Sequence, residues 1–237
     1  MAETARHPKS MTILVKICGI STEEALEAAI EAGADYAGFV FFERSPRNVT
    51  RSRAAALARR AEGRIKIVAL TVNATADVIK MIAGEVRPDF FQLHGDENLE
   101  RIGSVRSLTS AKIIKAIKVG TPCDIQGSRR YEDEADLLLF DAQASAALPG
   151  ALPGGNGVSF DWRWLQGGAL RRDFMLSGGL CAENVLTALA ESGASAVDVS
   201  SGVETSPGVK DPSLIRQFIK AAKSFERAAS PVSNAAG

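Results

Sequence analysis

The chain of 237 residues has few of the residues that build disulfide frameworks or paired-histidine metal sites. Its three cysteines are Cys18, Cys123 and Cys181, too few and too scattered for a disulfide framework, which predicts a reduced, cytoplasmic protein. Of its two histidines, His94 lies inside the chain and His7 in the polar N-terminal segment, so a metal site built on paired histidines has no support.

Long apolar runs and an excess of one charge are also absent. No apolar stretch approaches the roughly 18 residues that span a bilayer, and the N-terminal segment lacks the apolar region of a signal peptide. The 28 basic and 28 acidic residues balance, so no overall field points to nucleic acid or to an anionic membrane. The sequence therefore predicts neither a nucleic-acid nor a membrane partner.

Short apolar runs alternate with longer amphipathic segments along the whole chain. The predicted strands are Thr12–Cys18, Tyr36–Phe41, Ile65–Thr71, Asp89–Leu93, Lys112–Ile117, Leu137–Phe140, Phe174–Leu176 and Ala196–Val199. The predicted helices are Thr22–Glu31, Ser52–Ala61, Ala76–Ala83, Leu99–Leu108, Ala182–Glu191 and Pro212–Phe225. Strands that alternate with helices favour a parallel sheet. Eight such repeats in 237 residues predict a single (β/α)₈ TIM barrel with a closed eight-stranded parallel sheet.

No linker or shift in composition divides the chain, which predicts one barrel domain over residues 12–227. Residues 1–11 are predicted to be a flexible N-terminal extension, with Met11 as an alternative start, and residues 228–237 a flexible tail. The least regular internal segment is Ala142–Ser159, rich in Ala, Pro and Gly. It is either a lid over the active site or a solvated excursion, and composition does not decide between them.

Cys18 ends the first predicted strand, at the end of the barrel where active sites of this fold lie. Lys16 shares its face of the strand, because side chains alternate with a period of two. An ammonium beside the thiol would lower the pKa of Cys18 and suit it to act as a general base. The alternatives are a buried, inert thiol and a structural ion pair of Lys16 with Asp35 or Asp198. Cys123 and Cys181 have no such setting and are expected to be inert.

Other strand ends carry two further candidates. Asp141 follows a fully apolar strand, where partial desolvation favours the protonated carboxyl and suits it to act as a general acid; a helix cap or turn is the alternative. Arg47 follows the second strand in a loop stiffened by Pro46, and its guanidinium is interpreted as a fork for a carboxylate or phosphate, with a solvated surface arginine as the alternative. His94 is interpreted as a packing or rim residue rather than a catalyst.

Glycine- and serine-rich loops follow the last strands. Strands seven and eight precede the loops that bind phosphate in barrels of this kind, through backbone N–H groups. The predicted phosphate-binding residues are Gly178, Gly179, Ser200, Ser201 and Gly202, with Gly155, Asn156 and Gly157 as a further part of the cradle. A single pair of glycines also simply makes a turn, but two such loops on adjacent strands favour a small phosphorylated substrate.

Together these segments resemble the phosphoribosylanthranilate isomerase family, from Val15 to about Phe218. The motifs that carry the resemblance are Lys16-Ile17-Cys18-Gly19, Gly38-Phe39-Val40-Phe41-Phe42, Ser45-Pro46-Arg47, Gln92-Leu93-His94-Gly95, Leu139-Phe140-Asp141, Gly155 to Trp162, Ser177-Gly178-Gly179-Leu180 and Asp198 to Glu204. No single motif is decisive, but their order and spacing are highly specific.

The resemblance implies an Amadori rearrangement of N-(5-phosphoribosyl)anthranilate without a metal or organic cofactor. By the same resemblance, Asp141 is the general acid that protonates the furanose ring oxygen, and Cys18 is the general base that removes the proton from C2. Arg47 is then expected to hold the anthranilate carboxylate, while the glycine and serine loops hold the phosphate. Supporting roles are expected for Lys16, His94 and Asp198, with Asp198 either orienting Lys16 or touching the ribose. The protein is expected to be a monomer or a homodimer.

The chain departs from the family pattern at two places. Asn156 stands where the family usually has threonine, and Gln143–Leu152 is longer than usual after the strand with the acid. Among rival barrels, ProFAR isomerases have an aspartate where this chain has Cys18, and pentulose-phosphate epimerases need two histidine ligands. The rival of a different class is a catalytically silent phosphosugar-binding barrel, which has no need for an acid–base pair.

Overall fold

The computed structural model describes residues 12–143, 159–166 and 170–226. Eight parallel strands close into a barrel in chain order, and β8 pairs with β1 to complete it. The strands are β1 Leu14–Cys18, β2 Tyr36–Phe41, β3 Lys66–Thr71, β4 Phe90–Leu93, β5 Lys112–Val119, β6 Leu137–Ala142, β7 Phe174–Leu176 and β8 Ala196–Val199. The predicted (β/α)₈ barrel is confirmed.

Helices lie between the strands and after the last of them. They are α1 Glu23–Glu31, α2 Arg51–Ala61, α3 Ala76–Glu85, α4 Leu99–Arg106, α5 Pro122–Ser128, α6 Val185–Ser192 and α7 Pro212–Lys223. Short 3₁₀ segments cover Arg129–Tyr131, Trp162–Leu165 and Ser201–Val203. Over the described part of the chain, no helix is long and apolar enough to cross a membrane. The N-terminal extension, the C-terminal tail and most of the irregular segment after β6 lie outside the described residues.

Side-chain caps fix where several helices begin. The side-chain oxygens of Thr22, Thr50, Thr75 and Asn98 accept hydrogen bonds from the backbone N–H groups three residues ahead, at the starts of α1 to α4. Such caps satisfy N–H groups that have no partner inside the helix. The loops from each strand to these helices are therefore held at both ends.

A small antiparallel hairpin that the sequence did not predict follows β8. Its strands are β9 Glu204–Ser206 and β10 Val209–Lys210. Gly208, in its turn, has a φ of 86° and packs against the Pro46 carbonyl oxygen, so the hairpin rests on the loop after β2. This contact places the segment after β8 against the loop after β2, which carries Arg47.

An apolar plug fills the middle of the barrel. It consists of Val68, Ile114, Ala116, Leu139, Met175 and Ala196, all buried. A second layer above it contains Cys18, Val40 and Leu70. Because inward-facing residues alternate along each strand, the polar inward-facing residues collect beyond the plug, at the carboxyl ends of the strands.

Candidate active site

Cys18 sits at the end of β1 with only 5% of its surface exposed, above a buried ion pair. The Lys16 ammonium donates to Asp198 Oδ1 at 2.9 Å, and the register of β1 against β8 places these two residues side by side. Ser177 Oγ donates to the other Asp198 oxygen at 3.4 Å. Asp35, the alternative partner, pairs instead with Lys223 Nζ at 2.6 Å. The ion pair of Lys16 is thus formed with Asp198, and a contact of Asp198 with the ribose stays a prediction.

Gly38 on β2 makes room for this ion pair. An ideal Cβ placed on Gly38 would lie 3.1 Å from Lys16 Nζ and 3.1 Å from Cys18 Cα. A side chain there would push the ammonium away from the thiol, so the glycine keeps the two groups close.

The pKa of Cys18 differs from the sequence expectation. Burial raises the pKa of the thiol, while the Lys16 and Lys210 ammonium groups lower it and Asp198 raises it. The net shift is upward, so the expectation that Lys16 lowers the pKa below its ordinary value is wrong in net direction. The physical reason is that withdrawal from water disfavours the thiolate more than the two cations favour it. Burial also works against the charge of Lys16, but Asp198 and Cys18 hold the pKa of that ammonium above its usual value.

The raised pKa of Cys18 predicts how catalysis depends on pH, because a thiol accepts a proton only as the thiolate. The thiolate fraction of a group with a raised pKa increases as pH rises through the alkaline range, so kcat/KM should rise there too. Lys210→Met removes a cation that lowers the pKa of Cys18, and should move this rising limb to higher pH. Initial rates measured from neutral to alkaline pH test both statements. If kcat/KM rose at the same pH in the parent and in Lys210→Met, Lys210 would not affect the pKa of Cys18. In Cys18→Ala, the rise with pH should be absent.

Asp141 lies in β6, which extends two residues beyond the predicted strand, and it is buried beside His94. His94 Nε2 lies 3.2 Å from Asp141 Oδ2, and His94 Nδ1 lies 2.7 Å from Gln92 Nε2. An ideal Cβ on Gly178 would lie 3.1 Å from Asp141 Oδ1, so this second oxygen faces the glycine loop. The interpretation of His94 as a packing or rim residue was incomplete, because it contacts the candidate acid directly.

Arg47 is held by a carboxylate that the sequence analysis did not assign to the site. Its Nε and Nη2 atoms donate to the two oxygens of Glu204, each at 2.8 Å. Lys210 Nζ lies 2.6 Å from Glu204 Oε1, the oxygen that also accepts from Arg47 Nε. Arg47 and Lys210 thus both contact the buried carboxylate of Glu204.

Lys210 also connects the hairpin to Cys18. Its ammonium donates to the Ser200 carbonyl oxygen at 2.9 Å, and Ser200 Oγ donates to the Cys18 carbonyl oxygen at 3.1 Å. Glu204 could have been found in the sequence, since it closes the motif that begins at Asp198. Lys210 left no such signal, because β10 has only two residues and shows no periodicity.

The two glycine-containing loops meet at one side of the mouth. Gly178 and Gly179 have φ angles of 95° and 64°, in the left-handed region that favours glycine. Within the described ranges, neither backbone N–H group donates a hydrogen bond to another residue. Gly202 packs against the Leu180 carbonyl oxygen, so the loop after β8 touches the loop after β7. Gly155, Asn156 and Gly157 lie outside the described residues.

The contact at Gly202 gives a stability prediction. A methyl group there would collide with the Leu180 carbonyl oxygen. That oxygen belongs to the main chain and cannot rotate away as the end of a flexible side chain could. Gly202→Ala should therefore lower the free energy of unfolding by about 2 kcal/mol or more. Gly103→Ala is the matched control, because nothing approaches that position in α4, and it should raise stability by about 0.5–1 kcal/mol. Urea unfolding of both variants measures the difference, and equal effects would contradict the packing argument.

No cluster of three or more His, Cys, Asp or Glu side chains that could hold a metal occurs among the residues described. The carboxyl ends of the strands hold the Cys18 thiol on β1 and the Asp141 carboxyl on β6. The ion pairs of Glu204 with Arg47 and Lys210 lie at the same end, as do the glycine-containing loops after β7 and β8. These features are typical of a (β/α)₈-barrel enzyme whose polar groups collect at the carboxyl ends of the strands.

Comparison with known proteins identifies the family. The profile of N-(5'-phosphoribosyl)anthranilate (PRA) isomerase matches residues 15–221. The isomerase of Parvibaculum lavamentivorans is 49% identical over 213 residues, which cover 90% of this chain and 99% of the relative. The chain belongs to the phosphoribosylanthranilate isomerase family.

Solved structures agree with this assignment. A structure of monomers of the dimeric phosphoribosylanthranilate isomerase from Thermotoga maritima is 33% identical, with a TM-score of 0.76, and the match covers 90% of this chain and all of that one. A phosphoribosylanthranilate isomerase bound to reduced 1-(o-carboxyphenylamino)-1-deoxyribulose 5-phosphate is 32% identical, with a TM-score of 0.75 and the same coverage.

Proposed function

We propose that the protein converts N-(5-phospho-D-ribosyl)anthranilate to 1-(2-carboxyphenylamino)-1-deoxy-D-ribulose 5-phosphate by an Amadori rearrangement in tryptophan biosynthesis, with Asp141 as acid and Cys18 as base. The observation that carries the assignment of roles is that this thiol and this carboxyl are both buried at the carboxyl ends of barrel strands, with Lys16 beside the thiol and His94 beside the carboxyl. Membership of the family supplies the reaction.

In the first step Asp141 gives its proton to the furanose ring oxygen. The bond from C1 to that oxygen breaks, its electron pair stays on the oxygen, and the anilino nitrogen forms a double bond to C1. The product is an open-chain Schiff base with a protonated nitrogen. The Asp141 carboxyl is buried, and its Oδ2 lies 3.2 Å from His94 Nε2, which fixes its orientation for this step.

In the second step the Cys18 thiolate takes the proton from C2. The electron pair of that bond forms a C1–C2 double bond and neutralises the nitrogen, giving an enolamine that tautomerises to the ketone. The Lys16 ammonium favours the thiolate by its charge and by a hydrogen bond to the sulfur. Asp198 holds that ammonium in place, so the β1–β8 ion pair supports the base indirectly.

The two charged ends of the substrate have separate candidate partners. The phosphate is assigned to the backbone N–H groups of the loops after β7 and β8, with Gly155, Asn156 and Gly157 as a predicted addition. The anthranilate carboxylate is assigned to Arg47, whose guanidinium plane is fixed by Glu204.

We also propose a cellular location and an oligomeric state for the enzyme. We place it in the cytoplasm, as expected for a protein of amino-acid biosynthesis with three free cysteines, all of them unpaired in the structure. We expect a monomer or a homodimer; the Thermotoga maritima relative is a dimeric enzyme, of which generated monomers have been solved. Light scattering at several protein concentrations distinguishes the two.

The direct test is turnover of freshly generated phosphoribosylanthranilate with a chelator present, followed by the loss of anthranilate-type fluorescence. Rapid turnover supports the proposal. Absence of turnover, together with binding of the reduced phosphorylated product analogue, would instead indicate the silent phosphosugar-binding barrel. Absence of both would overturn the assignment of the substrate itself.

A further inference from the structure

We propose that Gln92 and His94 are positioning residues that decide which oxygen of Asp141 carries the acidic proton. The inference rests on the proposed role of Asp141 as the acid. It assigns no bond-making step to His94, which keeps its own proton throughout.

The three side chains form a buried line across the barrel mouth. Gln92 is the last inward-facing residue of β4, His94 follows the strand, and Asp141 faces them from β6. All three are at most 5% exposed. Water therefore competes little for their hydrogen bonds, and each contact constrains the next.

One tautomer of His94 fits the amide orientation seen in the structure. If the Gln92 amide nitrogen donates to Nδ1 across 2.7 Å, Nδ1 is an acceptor and the proton of the neutral imidazole is on Nε2. The Nε2–H group then donates to Asp141 Oδ2 across 3.2 Å. An oxygen that accepts this bond is the less favourable place for the carboxyl proton, so the proton goes to Oδ1, beside Gly178.

This arrangement serves the acid in both of its states. Before the reaction it presents the proton on the oxygen that faces the glycine loop. After Oδ1–H has given its proton to the ring oxygen, Asp141 is an anion, and the same Nε2–H bond stabilises the charge that has just formed. Donors aimed at developing charge are a main source of catalytic stabilisation.

The opposite orientation of the Gln92 amide would work against the reaction. Gln92 Oε1 has no hydrogen-bond partner among the described residues, and a flipped amide would point it at Nδ1. Nδ1 would then carry the proton and Nε2 would accept from Asp141 Oδ2, which turns the acidic proton away from the glycine loop. The two arrangements differ in which ring nitrogen of His94 carries the proton, so locating that proton distinguishes them.

Nitrogen NMR of the ¹⁵N-histidine-labelled protein gives that observation. The sequence contains only two histidines, and His7→Gln removes the other signal. We expect His94 to show a protonated Nε2 and an unprotonated Nδ1 at neutral pH. A protonated Nδ1, alone or in an imidazolium, would overturn the inference. Gln92→Glu, which can only accept when ionised, should move the proton to Nδ1.

Steady-state kinetics test whether the hydrogen bond between His94 Nε2 and Asp141 Oδ2 affects catalysis by Asp141. Removing a donor to developing charge costs about 10²–10³ in kcat, so His94→Phe should lower kcat by about 100-fold with a much smaller change in KM. His94→Gln places an amide N–H near the position of Nε2 and should restore kcat to within about tenfold of the parent. Thermal unfolding of both variants identifies any general loss of structure.

A double-mutant cycle separates positioning from packing. In an Asp141→Asn background, His94→Phe should cost less than threefold in kcat, because the residue through which it acts is gone. An undiminished 100-fold loss in that background would overturn the inference. If the parent enzyme showed no turnover at all, the proposed function would fail, while the tautomer seen by NMR would still report on the Gln92–His94 arrangement.

Discussion

Cys18→Ala should lower kcat by three or more orders of magnitude while changing KM less than about tenfold. Proton removal from C2 is the step that needs a base. In the described part of the chain, the other two cysteines lie elsewhere: Cys123 is exposed on α5, and Cys181 follows the glycine loop after β7. The loss should fall on kcat, because a small methyl side chain removes the proton acceptor without touching the groups assigned to phosphate or carboxylate. Stopped-flow fluorescence with saturating substrate measures both constants.

Two further variants make the result specific. Cys18→Ser keeps the size of the side chain but replaces the thiol with a much weaker acid, so it should be nearly as slow as Cys18→Ala. Cys123→Ala is the matched control and should retain the parental kcat, since its exposed thiol contacts no site residue. A near-normal kcat in Cys18→Ala would show that Cys18 is not the base.

Asp141→Asn should lower kcat by a comparable factor, again with a smaller change in KM. The asparagine has nearly the same shape and can still bond to His94, but it has no proton of suitable acidity for the ring oxygen. Ring opening should then limit turnover. Single-turnover kinetics with excess enzyme separates this step from substrate binding and gives the rate constant directly.

The control for this variant is Asp96→Asn. Asp96 lies at the same end of the barrel, is exposed and pairs with Lys118 at 3.2 Å, so its neutralisation should leave kcat within about twofold. The double variant Cys18→Ala/Asp141→Asn should be little slower than the slower single variant, because both residues serve one reaction sequence. Simple multiplication of the two losses would indicate that the residues do not act as a unit.

Most of the scaffold follows from the sequence pattern. The bounds of β2, β7 and β8 match the predicted strands, because each is a short apolar run between polar segments. β6 was predicted two residues too short, since Asp141 interrupts the apolar pattern although it lies within the strand. α5 begins at Pro122 and has only seven residues, too few to show a helical period.

The site was less predictable than the scaffold, for two physical reasons. Positions at strand ends can be found from periodicity, which is how Cys18, Asp141 and the glycine loops were selected. Contacts between loops depend on long-range packing, so the roles of Glu204, Lys210 and Gln92 emerged only in the folded chain. The pKa of Cys18 depends on a competition between burial and two ammonium groups, and the sequence identifies one of these cations but not the depth of burial.

The ion pair between Lys16 and Asp198 also bears on how the enzyme is made. Its two residues are 182 positions apart, on the first and last strands of the barrel. During synthesis, β1 leaves the ribosome first, with a lysine whose counterion has not yet been translated and an edge that has no neighbour on one side. A nascent chain that lacks β8 cannot enclose that lysine, and it also lacks Ser200 and Lys210. Catalytic activity is thus expected only after β8 has been made, and a product of translation that ends before β8 should have none.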